Sequence, residues 1–163
     1  MEIEKNIQVS VVMGSQSDWQ IMRVACDLLE KLDVSYEKKI VSAHRTPDRL
    51  YDYANSLRKR KIKVVIAGAG GAAHLPGMIA SKTDIPVIGV PINATDLRGV
   101  DSLYSIVQMP KGYPVATMAI GSPGAFNAAI FAVQVLAVTD KIIGQKIRDW
   151  RADTTNRVKN EPE

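Results

Sequence analysis

Val64-Val65-Ile66-Ala67 is apolar at four successive positions and runs straight into Gly68-Ala69-Gly70-Gly71. A strand sends successive side chains to opposite faces. Four apolar residues in a row therefore need cover on both faces. That is the setting of a parallel strand between two helix layers. Four more short runs read as strands: 8–13, 36–41, 86–90 and 115–119. Between them the apolar spacing turns helical. Ile21, Ala25, Leu28 and Leu32 mark a helix over 19–32, with Asp18 or Ser17 as its cap. Pro47 fits the first helical position after a Thr46 cap, in a helix reaching about residue 60. A short helix through 78–80, another near 101–108, a long one over 124–139 and a last one over 141–151 complete the order.

Strand and helix alternate five times. The expected fold class is α/β: a three-layer, doubly wound parallel five-stranded sheet of flavodoxin- or Rossmann-like form, plus a C-terminal helix. With 163 residues and no repeat or linker, residues 1–163 read as a single domain with a polar, frayed tail over 153–163. The helix over 124–139, GAFNAAIFAVQVLAVT, is apolar on nearly every face, and such a helix must be covered all round. A lone domain of this size covers one face of an outer helix, so a homo-oligomer is expected.

Charge and cysteine usage narrow the function classes. A net charge of +4 fits an anionic small substrate as well as it fits nucleic acid. The cluster Arg58, Lys59, Arg60, Lys61, Lys63 has no aromatic residues interleaved and reads as a solvated helix end, not a nucleic-acid surface. Cys26, the only cysteine, lies among Ala25, Leu28 and Leu29 and reads as a packed, reduced thiol. Residues 1–5 carry acid and no apolar core, unlike a signal peptide. Residues 112–139 hold no charge, but Gly121-Ser122-Pro123-Gly124 divides them, and neither part reaches the ~20 apolar residues of a spanning helix. The expectation is a cytoplasmic protein with no membrane partner.

Three loops carry chemistry. Gly14-Ser15-Gln16-Ser17-Asp18 joins the first strand to the first helix. It is either a capped turn or an anion site built on free backbone N–H groups. Asp18 suits ribose hydroxyls better than phosphate. Ser42-Ala43-His44-Arg45-Thr46-Pro47 puts a hydroxyl, an imidazole and a guanidinium in one strand-to-helix loop. Arg45 offers a planar fork for phosphate, and Ser42 can donate to the same anion. His44 is either a surface histidine beside a cap or a general acid–base. The third loop meets the pattern G-x-G-x-x-A at Gly68, Gly70 and Ala73. It follows the third strand rather than the first, and the partner acid of a dinucleotide site is missing. Bare backbone for the close approach of a flat ligand explains those glycines better. His74 reads equally as functional or as a buried, hydrogen-bonded residue. The two histidines have no third ligand at metal spacing, and no nucleophile elbow is present.

Taken together, G-S-Q-S-D, S-A-H-R-T-P and A-G-A-G-G-A-A-H-L-P-G-M resemble the PurE family of purine biosynthesis. So do P-V-I-G-V-P, G-V-D-S-L-Y-S-I-V-Q-M-P and A-I-G-S-P-G-A-F-N-A-A, and the resemblance spans about residues 8–152. Arg45 and the intact third loop are similar to class I, the 5-(carboxyamino)imidazole ribonucleotide mutases. Class II enzymes, which carboxylate aminoimidazole ribonucleotide directly, typically have lysine at that position. The resemblance implies that Ser15, Ser42 and Arg45 hold the phosphate and Asp18 the ribose. It implies that backbone at Ala69, Gly70 and Gly71 lines the imidazole pocket. His44 shuttles the proton, and His74 matches the family's second histidine. It further implies an octamer, no metal and no organic cofactor, with the ring held in a closed, glycine-lined pocket that keeps carbon dioxide from escaping. The alternatives are the direct carboxylase and a non-catalytic nucleotide-binding module.

Overall fold

The computed structural model describes residues 7–162, so residues 1–5 and the signal-peptide reading lie outside the described residues. Five strands, β1 (Val9–Met13), β2 (Tyr36–Ile40), β3 (Val64–Gly70), β4 (Val87–Ile92) and β5 (Ala116–Thr117), form one sheet in the order β2-β1-β3-β4-β5. Every pairing is parallel. The helices are α1 (Trp19–Lys31), α2 (Pro47–Ser56), α3 (Leu75–Ala80), α4 (Val100–Val107), α5 (Ser122–Ala137) and α6 (Lys141–Asn156).

The alternation along β1 explains the layering. Val9, Val11 and Met13 join one core with α1, α5 and α6. Val12 faces the other core, with Leu50, Tyr53 and Leu57 around α2, and Leu75 and Ile79 of α3. Side chains such as Leu29, Leu50 and Ile66 are fully buried, and each contributes about 2 kcal/mol by leaving water. One polar group crosses this pattern. Ser10 is fully buried on the α2 face, donates to Glu37 Oε1 at 2.7 Å and shares a 2.6 Å hydrogen bond with the Tyr53 hydroxyl. Arg60 Nη1 donates to the same carboxylate oxygen at 2.6 Å.

Several boundaries differ from expectation, each for a packing reason. Helix α2 stops at Ser56 rather than near residue 60. The buried pair Leu57 and Ile62 draws the chain back into the sheet through a left-handed Lys61, φ 61°. The basic cluster thus follows the helix. Arg58 pairs there with Asp84, and Arg60 with Glu37. Strand β3 runs three residues past Ala67, because Gly68, Ala69 and Gly70 keep pairing with β4. Strand β5, at the sheet edge, pairs over two residues only. Helix α6 continues to Asn156, so 153–156 are helical rather than frayed. Its start is capped by Asp140, which accepts from the backbone N–H groups of Ile142 and Ile143.

The all-apolar helix corrects a premise. Helix α5 lies in a layer with α1 and α6, over β3 and β4, and Ala125, Ala128, Ala129, Ala132 and Val133 are buried within the single chain. Most of its surface is covered without a second subunit. Phe131 and the following Val138 stay exposed, at 39% and 83%.

Candidate active site

In the order β2-β1-β3, the chain leaves β1 first to one side and later to the other. The loops after β1 and β3 therefore diverge over the carboxyl ends of those strands, which opens a crevice. All three loops singled out in the sequence end there. They enclose a cavity of about 210 Å³ lined by Ser15, Asp18, Ser42, His44, Arg45, Ala69, Gly70 and His74. Of the residues expected in the site, Gly71 alone does not line it. It turns the chain at φ 64°, a conformation glycine adopts without strain.

The first loop closes on itself. After Met13 the chain makes a short 3-10 turn, Gln16–Asp18, that feeds α1. Asp18 does not cap α1 with its side chain. Instead its Oδ2 accepts from Ser15 N–H at 3.0 Å, and the residue is only 6% exposed. Burial pushes the Asp18 carboxyl above its usual range, against the opposing pull of the Ser15 and Gly14 backbone N–H groups. A buried carboxylate with unused lone pairs at a cavity wall is a ready acceptor for sugar hydroxyls. Ser15 and Ser17 share a 2.5 Å hydroxyl contact beside it.

The second loop is tied to the first by Arg45. Its Nη2 donates to Gly14 O at 2.9 Å and its Nε to Ser42 Oγ at 3.2 Å. The backbone N–H of Arg45 also donates to Ser42 Oγ, at 3.2 Å. Both contacts use Ser42 as acceptor, so its hydroxyl hydrogen is left to give to an anion. Thr46 precedes Pro47 as expected but does not cap α2 with its side chain. Its Oγ1 accepts from Ser42 N–H at 2.9 Å and donates to Ser42 O at 3.0 Å, which fixes the loop that carries His44.

The third loop brings the second histidine across. His44 Nε2 and His74 Nδ1 lie 2.7 Å apart, with the rings edge-on at 81° and centroids separated by 4.8 Å. One nitrogen must donate and the other accept. The chain loops from β2 and from β3 meet above β1, so residues thirty apart in sequence become direct partners. Among the described residues no three metal-ligating side chains of His, Cys, Asp or Glu come together.

Two of the glycines also have a cause in packing. A Cβ on Gly68 would come within 2.3 Å of Met22 Sδ, and one on Gly70 within 2.6 Å of the Ala94 Cβ. Close packing of protein against protein requires both. Among the described residues the crevice is open: His44, Arg45, His74 and Ala94 are exposed, with no described segment lying over the carboxyl ends of the strands. Sequence reasoning missed Ala94, on the loop after β4, which lines the crevice and packs on Gly70. Its only signal was position, since that loop leaves the strand beside β3. Gly14, also lining, sat inside a recognised motif without a role, and Ser17, expected only as a helix cap or an added donor in that loop, lines the crevice as well.

A family model described as AIR carboxylase matches residues 8–157. The N5-carboxyaminoimidazole ribonucleotide mutase of Bacillus subtilis is 57% identical over 150 residues, 92% of this chain and 93% of that protein. The protein of the same name from Escherichia coli K12 is 54% identical over 156 residues, covering 96% and 92%. That of Haemophilus influenzae is 53% identical over 161 residues, covering 99% and 98%. Among solved structures, the crystal structure of Treponema denticola PurE superposes with a TM-score of 0.84 at 24% identity over 92% of each chain, a likeness of fold.

Proposed function

The chain belongs to the AIR carboxylase family, and from that membership and the switch-point crevice we propose that it is an N5-carboxyaminoimidazole ribonucleotide mutase of purine biosynthesis. It moves the carboxyl group from the exocyclic nitrogen of the substrate to the adjacent ring carbon. The product is 4-carboxy-5-aminoimidazole ribonucleotide. The observation that carries the reading is the placement of His44 and Arg45 on one loop, across the crevice from Ala69 and Gly70.

Each residue has work that suits its geometry. Ser15, Ser42 and the unused donors of Arg45 hold the phosphate, and Asp18 accepts from the ribose hydroxyls. These contacts are remote from the reacting atoms and fix the ring against the backbone of Ala69 and Gly70, with Gly71 turning the loop behind them. His44 gives a proton to the exocyclic nitrogen as the nitrogen–carboxyl bond breaks. That bond's electron pair stays on nitrogen, and carbon dioxide leaves. The electron-rich ring carbon then attacks the same carbon dioxide, and the proton on that carbon returns to His44. One acid–base group balances the cycle, and no metal or organic cofactor takes part.

The same reading includes a cytoplasmic homo-octamer. Among the described residues no helix is long and apolar enough to cross a membrane. Val100, Tyr104 and Val107 form an exposed apolar stripe at helical spacing along α4, with Leu97 exposed in the turn before it, and this is the surface assigned to contacts between copies. Cover from a neighbouring copy or from the substrate itself then closes the open crevice.

The test supplies the carbamate ribonucleotide without added bicarbonate and follows the ring-carboxylated product. Conversion faster than the uncatalysed background is expected. Conversion at the background rate sinks the mutase reading. Turnover of aminoimidazole ribonucleotide only when bicarbonate is added moves the assignment to the direct carboxylase.

A further inference from the structure

His44 has two ring nitrogens, and one of them is already engaged. Its Nε2 faces His74 Nδ1 at 2.7 Å. The functional reading above requires His44 to take a proton from a ring carbon, and only a nitrogen without hydrogen can do so. With Nε2 held by His74, the free nitrogen is Nδ1. In a neutral imidazole a bare Nδ1 means that Nε2 carries the hydrogen. His44 therefore donates, His74 Nδ1 accepts, and the remaining proton of His74 sits on its Nε2.

We propose that His74 is a positioning residue: it fixes His44 as the Nε2–H tautomer and so makes Nδ1 the nitrogen that exchanges protons with the substrate. This rests on the mutase reading for its functional part and on geometry alone for its tautomer part. The arrangement follows the logic by which a hydrogen-bonded partner sets which nitrogen of a catalytic histidine works. Here a neutral imidazole takes the place that a carboxylate holds in hydrolase triads. The proton count stays balanced. His44 protonated on both nitrogens gives the Nδ1 proton to the exocyclic nitrogen, and Nδ1 then receives the proton from the ring carbon. The Nε2–H···Nδ1 bond to His74 is kept in both states. The crossed rings suit this role, since a donor in the plane of one ring can meet the in-plane lone pair of the other. Packing supports it too. Ala73 and Leu75, on either side of His74, are buried, which sets the backbone from which the ring reaches across.

Two measurements decide it. In the first, the whole protein is labelled with nitrogen-15 at histidine and examined by NMR. The expected result is His44 as the Nε2–H tautomer, with scalar coupling across the bond to His74 Nδ1. Finding hydrogen on His44 Nδ1, or no coupling, overturns the proposal. The second compares His74→Asn with His74→Ala in the mutase assay. The asparagine amide oxygen can stand where Nδ1 stood and accept the same hydrogen bond, but it cannot pass a proton on. His74→Asn is expected to keep kcat within a few-fold, whereas His74→Ala loses roughly tenfold or more with KM little changed. Wild-type kcat in the alanine variant, or equal losses in both, overturns the positioning role. If wild-type protein fails to convert the carbamate at all, the functional reading falls, and the spectrum still decides the tautomer.

Discussion

The two ends of the sheet make an instructive pair. At the amino ends lies the larger hollow, about 820 Å³, bordered by Arg58, Asp84 and Tyr113. At the carboxyl ends lies a crevice of about a quarter that volume, holding His44, Arg45, Ser42, Asp18 and His74. Volume alone favours the amino end. The amino-end hollow has one ion pair, Arg58–Asp84, which is exposed on both sides and screened by water. In the crevice, side chains from three loops converge, and two hydrogen bonds, Arg45 to Gly14 O and His44 to His74, tie one loop to the next. A site is recognised by that convergence, which strand order dictates: only where the loops leave β1 and β3 in opposite directions is backbone left open to a ligand.

The comparison is best broken at its strongest point. Replacing His44 with asparagine is expected to lower turnover ~10²-fold or more with ligand affinity kept. Steady-state kinetics alongside a ligand titration read this, and wild-type turnover in that variant would remove His44 from the mechanism. Arg45→Ala comes next. It deletes the phosphate fork and the tie from Gly14 to Ser42, so KM should rise roughly 10- to 100-fold, with a smaller loss in kcat. An unchanged KM would leave the phosphate elsewhere.

A smaller effect lies away from both ends, at the half-buried Ser10–Glu37–Arg60 cluster. Burial by itself would raise the Glu37 carboxyl, but the hydrogen bonds from Arg60 and Ser10 outweigh it and hold the group below its usual range. A depressed carboxylate stabilises the fold above its unfolded value, and the contribution is lost as pH falls through the folded one. Glu37→Gln should therefore cost about 1 kcal/mol near neutral pH, read from thermal unfolding, and the gap should close below about pH 4. A gap that persists into acid contradicts the assignment. The smallest effect is at the amino end: Arg58→Gln should leave both kcat and KM at wild-type values. A clear loss of turnover there would bring the larger hollow into the chemistry.

Much of this was legible beforehand. Uninterrupted apolar strands and alternating helices required a covered parallel sheet, and the strand order placed the three motif loops together. Ser15, Asp18, Ser42 and Arg45 stood within recognisable turns. What the sequence did not disclose is contact between loops. Nothing in the spacing of His44 and His74 shows that they touch, because that depends on β1 lying between β2 and β3. Gly68 and Gly70 were visible as glycines, yet the packing constraint on them, Met22 and Ala94 pressed against the backbone, is a matter of distance. Ala94 was silent for the opposite reason: a methyl group advertises no chemistry, and only its location gives it a place in the crevice wall. The apolar helix α5 misled because composition reports how much cover a helix needs and not who supplies it.

That last cover has a bearing on how the polypeptide is made. Helix α5 is roofed on one flank by α1, which is synthesised early, and on the other by α6, which follows it. During translation the outer flank of α5 stays wet until Lys141–Asn156 has been added. The Asp140 cap, set between the two helices, then starts α6 in place. The tie from Lys146 to the carboxylate and carbonyl of Asp33 secures it across 113 residues of chain. Closing that flank is a first-order event within one molecule. Its rate should not depend on how many copies are present, so association can wait until each subunit has finished its own interior.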